Sequence, residues 1–231
     1  MVDLQSFLDK VATLTPPAAS VKLPSSGKEV SITPLNIIQQ KKLLTEGVTD
    51  EYELIGFTKT LNEIITEEVS DARLCDRAYL AIKLRNISID NYFGDVDLSE
   101  LTSDSKWTNG VELIKDIKTG NLSISIEMPY LKDEIALLDY LKANLTRDEE
   151  YNTRLIYSVE VLKYIKSLTI DDTVLVLSDL TIADRLELFD KLPIMCTKGV
   201  VSYIEEFKEN ELSLLTVDER VLVIDREFFS V

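Results

Sequence analysis

Histidine is absent from this chain of 231 residues, and its absence excludes several common kinds of site. Without an imidazole there is no Ser/His or Cys/His nucleophile pair, no histidine general base and no zinc site of the usual mixed kind. Only two cysteines are present, Cys75 and Cys196, so a zinc site made of thiolates alone is also excluded. Both lie within helical patterns far apart in the sequence, and we expect them to be buried free thiols.

Glycine, proline and basic residues are also scarce. The 7 glycines and 6 prolines, with 45% hydrophobic residues, indicate a globular chain rather than a disordered one. Acidic residues outnumber basic ones by 41 to 25, which gives a formal charge of −16 and argues against nucleic acid or anionic membranes as partners. No apolar run approaches membrane-spanning length, and Asp3 and Asp9 interrupt the segment where a signal peptide needs an apolar core.

The sequence patterns that resemble catalytic or binding motifs lack residues that those motifs require. Gly27-Lys28 lacks the earlier glycine and the following Ser or Thr of a phosphate loop. Asp95, Asp97 and Ser99 begin like a calcium loop, but Glu100 replaces its glycine. Acidic neighbours such as Asp171-Asp172 are predicted to be solvated. We therefore assign no catalytic, cofactor-binding or metal-binding residues from the sequence.

The first segment, residues 1–20, is predicted to be an amphipathic arm. Its apolar residues recur at helical spacing, and Thr15-Pro16-Pro17 ends the pattern. The predicted partner-binding residues are Leu4, Phe7, Leu8, Val11 and Leu14. The arm either folds back onto its own domain or docks on a neighbour, because a Pro/Ala linker permits both.

The stretch around which the chain is organised runs from Val21 to Glu46 and reads VKLPSSGKEVSITPLNIIQQKKLLTE. Alternating apolar residues predict two short strands, and Gly27 supplies the turn between them. Asn36 is a natural N-cap for the helix that follows. The predicted apolar stripe of that helix comprises Ile37, Ile38, Leu43 and Leu44.

The rest of the first predicted lobe, residues 21–94, is helical. Asp50 and Glu53 form a capping-box pattern before a second helix. Its predicted buried face comprises Leu54, Phe57, Leu61, Ile64 and Ile65. A third helix from Asp71 to about Asn86 is apolar on more than one face, so we expect it to be central. The polar segment Ile87–Asn109 is interpreted as a lobe boundary, with Phe93 and Trp107 packed locally or anchoring a partner.

The second predicted lobe, residues 95–231, repeats the order of hairpin and helices. Hairpin strands are predicted at Val111–Ile117 and Leu122–Met128, and a short strand at Thr173–Leu177. The predicted helices are Leu131–Leu145, Asp148–Lys166 capped by Thr146 with Glu149, a helix capped by Thr181 with Asp184, and Cys196–Lys208. A final hairpin is predicted over Leu212–Val217 and Val221–Ile224. This order favours an α+β fold of short antiparallel hairpins alternating with helical pairs, in two lobes around a helical core.

The ordered set of these segments resembles the baseplate hub and hub-assembly proteins of T-even-like contractile-tailed phages and, more distantly, phage tail-assembly chaperones. The resemblance rests on Val21–Glu46, Leu74–Ile89, Leu122–Leu131, Leu180–Phe207 and Phe228-Phe229. It covers roughly Val21 to Val231. It implies a non-enzymatic virion or assembly protein that acts through protein–protein contacts.

The same resemblance implies where the protein works and with what. The implied partners are other hub proteins and the tape-measure protein, and the implied location is the host cytoplasm during assembly, with the virion tail baseplate as an open alternative. Many relatives carry paired cysteines that look like zinc sites, but the matching regions here contain none, so no metal is expected. The alternative from another class is a small hydrolase or transferase that uses carboxylates alone.

Overall fold

Helices and short antiparallel sheets alternate along the chain in the computed structural model, which describes residues 3–12, 14, 17–45, 52–102, 104–107 and 112–230. The helices are α1 (Leu4–Ala12), α2 (Ile37–Thr45), α3 (Glu53–Glu68), α4 (Arg77–Ser88), α5 (Leu98–Leu101), α6 (Asp104–Trp107), α7 (Leu131–Asn144), α8 (Glu149–Leu162), α9 (Ile182–Asp190) and α10 (Ile194–Leu214). The strands are β1 (Ala19–Lys22), β2 (Glu29–Ile32), β3 (Tyr92–Phe93), β4 (Val96–Asp97), β5 (Ile114–Thr119), β6 (Leu122–Glu127), β7 (Ile165–Ile170), β8 (Thr173–Val176), β9 (Thr216–Val217) and β10 (Arg220–Val221). The predicted α+β class is confirmed.

The first hairpin forms as predicted. β1 and β2 pair antiparallel from Ala19–Ile32 to Lys22–Glu29, and Gly27 in the turn has a φ of 68°. Ser25 holds the turn against the rest of the protein. Its hydroxyl donates to the Asp76 carboxylate at 2.7 Å, and its backbone amide donates to the same carboxylate at 2.8 Å. Asp76 is fully buried, and burial raises its pKa although these donors lower it.

The helix after this hairpin is only partly as predicted. Asn36 caps α2, because its side-chain oxygen accepts from the amides of Ile38 and Gln39, both at 2.9 Å. Leu43 is buried, but Ile37 and Ile38 are exposed, so the predicted apolar stripe is wrong at its start. Both isoleucines lie in the first turn of α2, whereas the buried Leu43 lies in its last turn.

The second helix, α3, has its predicted buried face except at its start. Phe57, Leu61, Ile64 and Ile65 are buried. Leu54 is exposed, because it lies in the first turn of the helix. Asp50, the proposed cap, lies outside the described residues, and Tyr52 occupies the cap position without a side-chain hydrogen bond.

The third helix, α4, is central as predicted, with apolar residues buried around more than one face. Near its end Arg85 donates to the backbone carbonyls of Tyr92 at 2.8 Å, Ser230 at 3.1 Å and Phe228. Phe228 and Phe229 are completely buried, and the Phe228 ring meets Phe93 at 5.3 Å. The C-terminal segment is thus held against the central helix.

The region interpreted as a lobe boundary contains the β3–β4 hairpin and the short helices α5 and α6. Trp107 is buried, its indole N–H donates to the Leu101 carbonyl at 2.6 Å, and its ring lies 5.7 Å from that of Tyr79. Local packing accounts for this tryptophan. The main apolar core draws residues from both predicted lobes, from Val21 to Phe229. The division at residue 94 therefore stays a prediction.

The largest sheet has the order β5-β6-β7-β8, with every neighbouring pair antiparallel. Its first hairpin and its last short strand form where predicted, except that β5 runs over Ile114–Thr119 instead of Val111–Ile117, and Val111 lies outside the described residues. The helix predicted from Asp148 to Lys166 ends at Leu162. Ile165–Ile170 is instead a strand that pairs with β6. The predicted cap is also wrong, because Asp148 accepts from the amides of Glu150 and Tyr151, both at 3.1 Å.

The C-terminal third ends differently from the prediction. Thr181 caps α9 by accepting from the Asp184 amide at 3.2 Å, as predicted. However, α10 continues to Leu214, so the first half of the predicted strand Leu212–Val217 is helical. The final hairpin is reduced to two-residue strands, and Asp218 and Glu219 form its turn with φ values of 47° and 65°.

Candidate functional site

The N-terminal helix α1 exposes two of the apolar residues that the sequence singles out, Leu4 and Val11, and a third, Leu14, is exposed beyond its end. Leu4 is 70% exposed, Val11 is 45% exposed and Leu14, just beyond the helix, is 78% exposed. The side chains of Phe7 and Leu8 lie outside what the structure describes. Asp3, Gln5, Ser6, Asp9 and Lys10 are exposed as well. Each described side chain of α1 is therefore open to solvent, including those on the apolar face.

A groove of about 490 Å³ is the other candidate site. It lies between the start of α7, the adjoining ends of β6, β7 and β8, and α9. The apolar side chains that line it are Leu137, Leu162, Ile165, Leu177 and Ile182. Basic side chains line it too, namely Lys132, Lys163, Lys166 and Arg185. A groove of this volume is large enough to hold a small ligand or part of a peptide.

Glu134 is the buried carboxylate of this groove. Its Oε2 atom accepts from Arg77 at 2.7 Å and from Asn62 at 2.8 Å, and its Oε1 atom accepts from Lys163 at 2.8 Å. Burial raises its pKa, but the two cations and the hydrogen bonds outweigh burial and lower the pKa to about 2. Glu134 is therefore ionised at neutral pH, with both oxygens bonded to donors from the same chain.

The ion pairs continue beyond Glu134. Lys163 also binds Glu160 at 2.7 Å, and Glu160 binds Lys208 at 2.9 Å. The Tyr164 hydroxyl is buried without a hydrogen-bond partner among the described residues, and burial raises its pKa. Burial also raises the pKa of Glu211, an effect that Arg77 and Lys163 oppose. Side chains from α7 (Glu134), α8 (Glu160) and α10 (Lys208) thus lie in one network of ion pairs joined by Lys163 and Glu160.

A second set of ion pairs lies at the end of β6. Glu127 accepts from Lys166 at 2.7 Å and from Arg73 at 3.0 Å. The Arg73 guanidinium also lies 4.2 Å from the centre of the Tyr130 ring and donates to the Met128 carbonyl at 2.6 Å. Burial raises the pKa of Glu127, but its two cations reverse the effect and lower it. These contacts fix the strand against the start of α7.

The acids considered in the sequence lie apart from this network. Asp95 forms an exposed ion pair with Arg220 at 3.3 Å, and Asp171 accepts from Asn121 at 3.1 Å. Within the described residues no group of three metal-ligating side chains is found. Cys75 and Cys196 are free and buried, as predicted, and burial raises the pKa of the Cys75 thiol.

The sequence interpretation missed the buried ion network. One signal was available, because Glu134 lies on the stripe that Leu131, Leu137, Leu138 and Leu141 define within one helix. A charged residue among buried positions of a helix requires a partner. The partners come from other parts of the chain, Arg77 of α4 and Lys163 beyond α8, and nothing in the local sequence indicates them.

Comparisons with known proteins add no identification: no family model, curated protein or solved structure matches this chain. Among the residues that the structure describes, no helix has both the length and the apolar character needed to cross a membrane. Function therefore has to be argued from the arm, the groove and the ion network.

Proposed function

We propose that this protein is a non-enzymatic assembly protein of a contractile phage tail, either a baseplate hub subunit or a factor that helps the hub or tail assemble. It acts by binding other proteins, and its N-terminal arm is the docking element. The observation that carries the proposal is the exposure of Leu4 and Val11 on the apolar face of α1. The phage context comes from the sequence resemblance alone.

Physical considerations support docking of the arm on a partner. A helix of nine residues is too short to be stable by itself in water, so it requires packing on another surface. Leu4 and Val11 do not find that surface in their own chain. Burying each fully against a partner would contribute about 1.5 to 3 kcal/mol.

The connection between arm and body also suits docking. Pro17 follows the arm and precedes β1, which begins at Ala19. A short Pro/Ala linker holds the arm near the body without adding to the core, and terminal segments of this kind often order on a partner. Other hub proteins and the tape-measure protein are the proposed partners. The proposed setting is the host cytoplasm during assembly, or the finished baseplate.

Complementation tests the proposal. A phage that lacks this gene is supplied with the double variant Leu4→Gln and Val11→Gln, and tails are counted by electron microscopy. We expect tailless heads and unassembled hub proteins, although the variant folds normally. The control is Ser6→Gln with Asp9→Gln on exposed positions of the same helix, which should restore tails. Normal tails from the apolar-face variant would contradict the proposal.

One observation favours the alternative, a carboxylate-dependent hydrolase or transferase. Arg77 and Lys163 act electrostatically on both Glu134 and Glu211, yet the pKa values of the two acids are shifted in opposite directions. Such a pair is typical of an acid and a base that act together. Against catalysis, both Glu134 oxygens already accept from the protein's own cations, so they are not free to contact a substrate.

A further inference from the structure

The groove beside the start of α7 reverses the charge balance of the chain. The chain has 41 acidic and 25 basic residues, whereas the charged side chains that line the groove are four basic and three acidic. The basic ones are Lys132, Lys163, Lys166 and Arg185. A cleft in which one sign of charge predominates attracts ligands of the opposite sign.

The ion pairs at the groove do not cancel this positive charge. Glu127 is paired with two cations, Lys166 from the lining and Arg73 from outside it. In the network around Glu134, three cations share two carboxylates. Asp133, the remaining acid of the lining, forms no ion pair within the part of the chain that the structure describes. Cations therefore outnumber carboxylates in both sets of ion pairs that border the groove.

Arg185 is the lining cation best placed to bind a ligand. Its Nε atom donates to the Leu180 carbonyl at 3.1 Å, and its Nη2 atom donates to the Ser178 carbonyl at 3.4 Å. Among the described residues its Nη1 atom has no acceptor, and no carboxylate lies within 4.0 Å of the guanidinium. A guanidinium held in this way loses little freedom when it binds a carboxylate. Lys132, at the start of α7, lies 5.1 Å from the centre of the Tyr130 ring and likewise has no ion pair with a described residue.

The apolar side chains of the groove lie deeper than its cations. Leu137, Leu162 and Leu177 are buried, whereas Lys132 and Lys166 are exposed. A ligand that fits this arrangement turns an apolar group inwards and keeps a carboxylate near the rim. The rim is open to solvent, which suits a segment of protein chain that enters and leaves, whereas a small ligand is usually enclosed over most of its surface.

We propose that this groove binds a segment of a partner protein in which an Asp or Glu side chain lies next to an apolar side chain. The carboxylate pairs with Arg185, and the apolar side chain packs on the buried floor of the groove. Planar guanidinium groups bind carboxylates through paired hydrogen bonds, which gives the contact specificity as well as affinity. This site rests on the proposed function only in taking the ligand to be a protein, and the N-terminal arm takes no part in it.

A library of displayed random peptides tests the site on the full-length protein. The library is selected on immobilised wild type, and binding of the selected peptides is then measured by fluorescence anisotropy. We expect the selected sequences to carry Asp or Glu beside an apolar residue, and Arg185→Gln to weaken their binding about tenfold or more, because a hydrogen-bonded charge is lost. The matched control is Arg147→Gln, at an exposed arginine outside the groove, which should bind them unchanged. Selection of no such sequences, or equal binding to Arg185→Gln and wild type, would overturn the proposal.

Reversal of charge separates loss of the contact from loss of the fold. Arg185→Glu should bind a peptide whose acidic residue is replaced by Lys better than it binds the original peptide, since opposite charges then meet again. Lys132→Gln, at an exposed position, should weaken the original peptide by a smaller factor with an unchanged melting temperature. If the Lys peptide gains nothing with Arg185→Glu, the carboxylate does not pair with this arginine and the assignment is wrong.

Two further arms of the experiment identify the ligand and isolate the site. Sodium octanoate carries a carboxylate on an apolar tail, and we expect it to displace the peptide only at far higher concentrations than the unlabelled peptide does. Displacement at equal concentrations would assign the groove to a small carboxylate and contradict a protein partner. The variant Leu4→Gln with Val11→Gln should bind the selected peptides as the wild type does, so a failure at the groove is distinguishable from a failure of the arm proposal.

Discussion

The ion network around Glu134 and the N-terminal arm differ in which side chains they bury and which they expose. The network places charged groups in the interior and pairs them, since Glu134 is buried against Arg77 and Lys163. The arm places apolar groups on the surface and leaves them uncovered. Buried charge without a partner destabilises a fold, whereas exposed apolar surface costs the isolated protein little and favours association. From this comparison we expect the network to contribute stability and the arm, in its proposed role, to contribute binding.

Removing the central charge of the network should have the largest effect on stability. Glu134→Gln leaves Arg77 without its carboxylate partner and removes one of the two carboxylate partners of Lys163. We expect the free energy of unfolding, measured in urea, to fall by about 3 kcal/mol. The control is Glu187→Gln, which breaks an exposed pair with Lys191 and should cost at most about 0.5 kcal/mol. Similar losses in both variants would contradict a structural role for the network.

Acid should weaken the network in a defined pH range. The pKa of Glu134 is lowered from 4.5 to about 2 in the folded protein, so its contribution is complete above about pH 4.5 and is lost as the pH falls towards 2. The shift corresponds to roughly 3 kcal/mol. Urea titrations between these pH values should show a shallower loss of stability in Glu134→Gln than in the wild type. Parallel curves would show that Glu134 has an ordinary pKa.

Substitutions in the turn of the first hairpin should have an intermediate effect on the free energy of unfolding. Gly27 has a φ of 68°, and a Cβ there would meet only the Lys22 side chain at an ordinary 3.5 Å. The cost of Gly27→Val therefore comes from backbone strain, at about 1 to 3 kcal/mol. We expect that loss in urea unfolding, with a smaller loss for Gly27→Asn because Asn tolerates this conformation better. No difference between the two variants would show that the turn rearranges.

A small gain in stability is expected from replacing Glu211, whose pKa is raised by burial although Arg77 and Lys163 oppose the effect. Burial disfavours its charge, so at neutral pH it weakens the fold, and protonation relieves the cost as the pH falls. Glu211→Gln should therefore be slightly more stable than the wild type at pH 7. The difference in the free energy of unfolding should shrink as the pH falls. Glu209→Gln, at an exposed position of the same helix, is the control. A folded Glu211→Gln protein that binds its partners but fails in complementation would favour the enzyme alternative.

The sequence predicted elements whose determinants are local. The β5–β6 hairpin follows from the strict alternation of β6 and the turn at Gly120, and the α9 cap follows from Thr181 three residues before Asp184. β7 was missed because Ile165 and Leu168 also fit a helical stripe, and only pairing with β6 decides between the two structures. The groove and the network could not be predicted, because their parts come from distant segments such as Asn62, Arg77 and Lys163.

The arm should have the smallest effect of all on stability, and its removal tests the division between stability and binding most directly. The measurement is the melting temperature of protein lacking residues 1–16, a truncation that leaves β1 (Ala19–Lys22) whole, compared with the intact chain. We predict a change of less than about 2 °C, because the described apolar side chains of α1 are exposed and make little contribution to the core. A fall of more than about 5 °C would show that the arm packs on its own domain and would contradict its proposed role as a docking element.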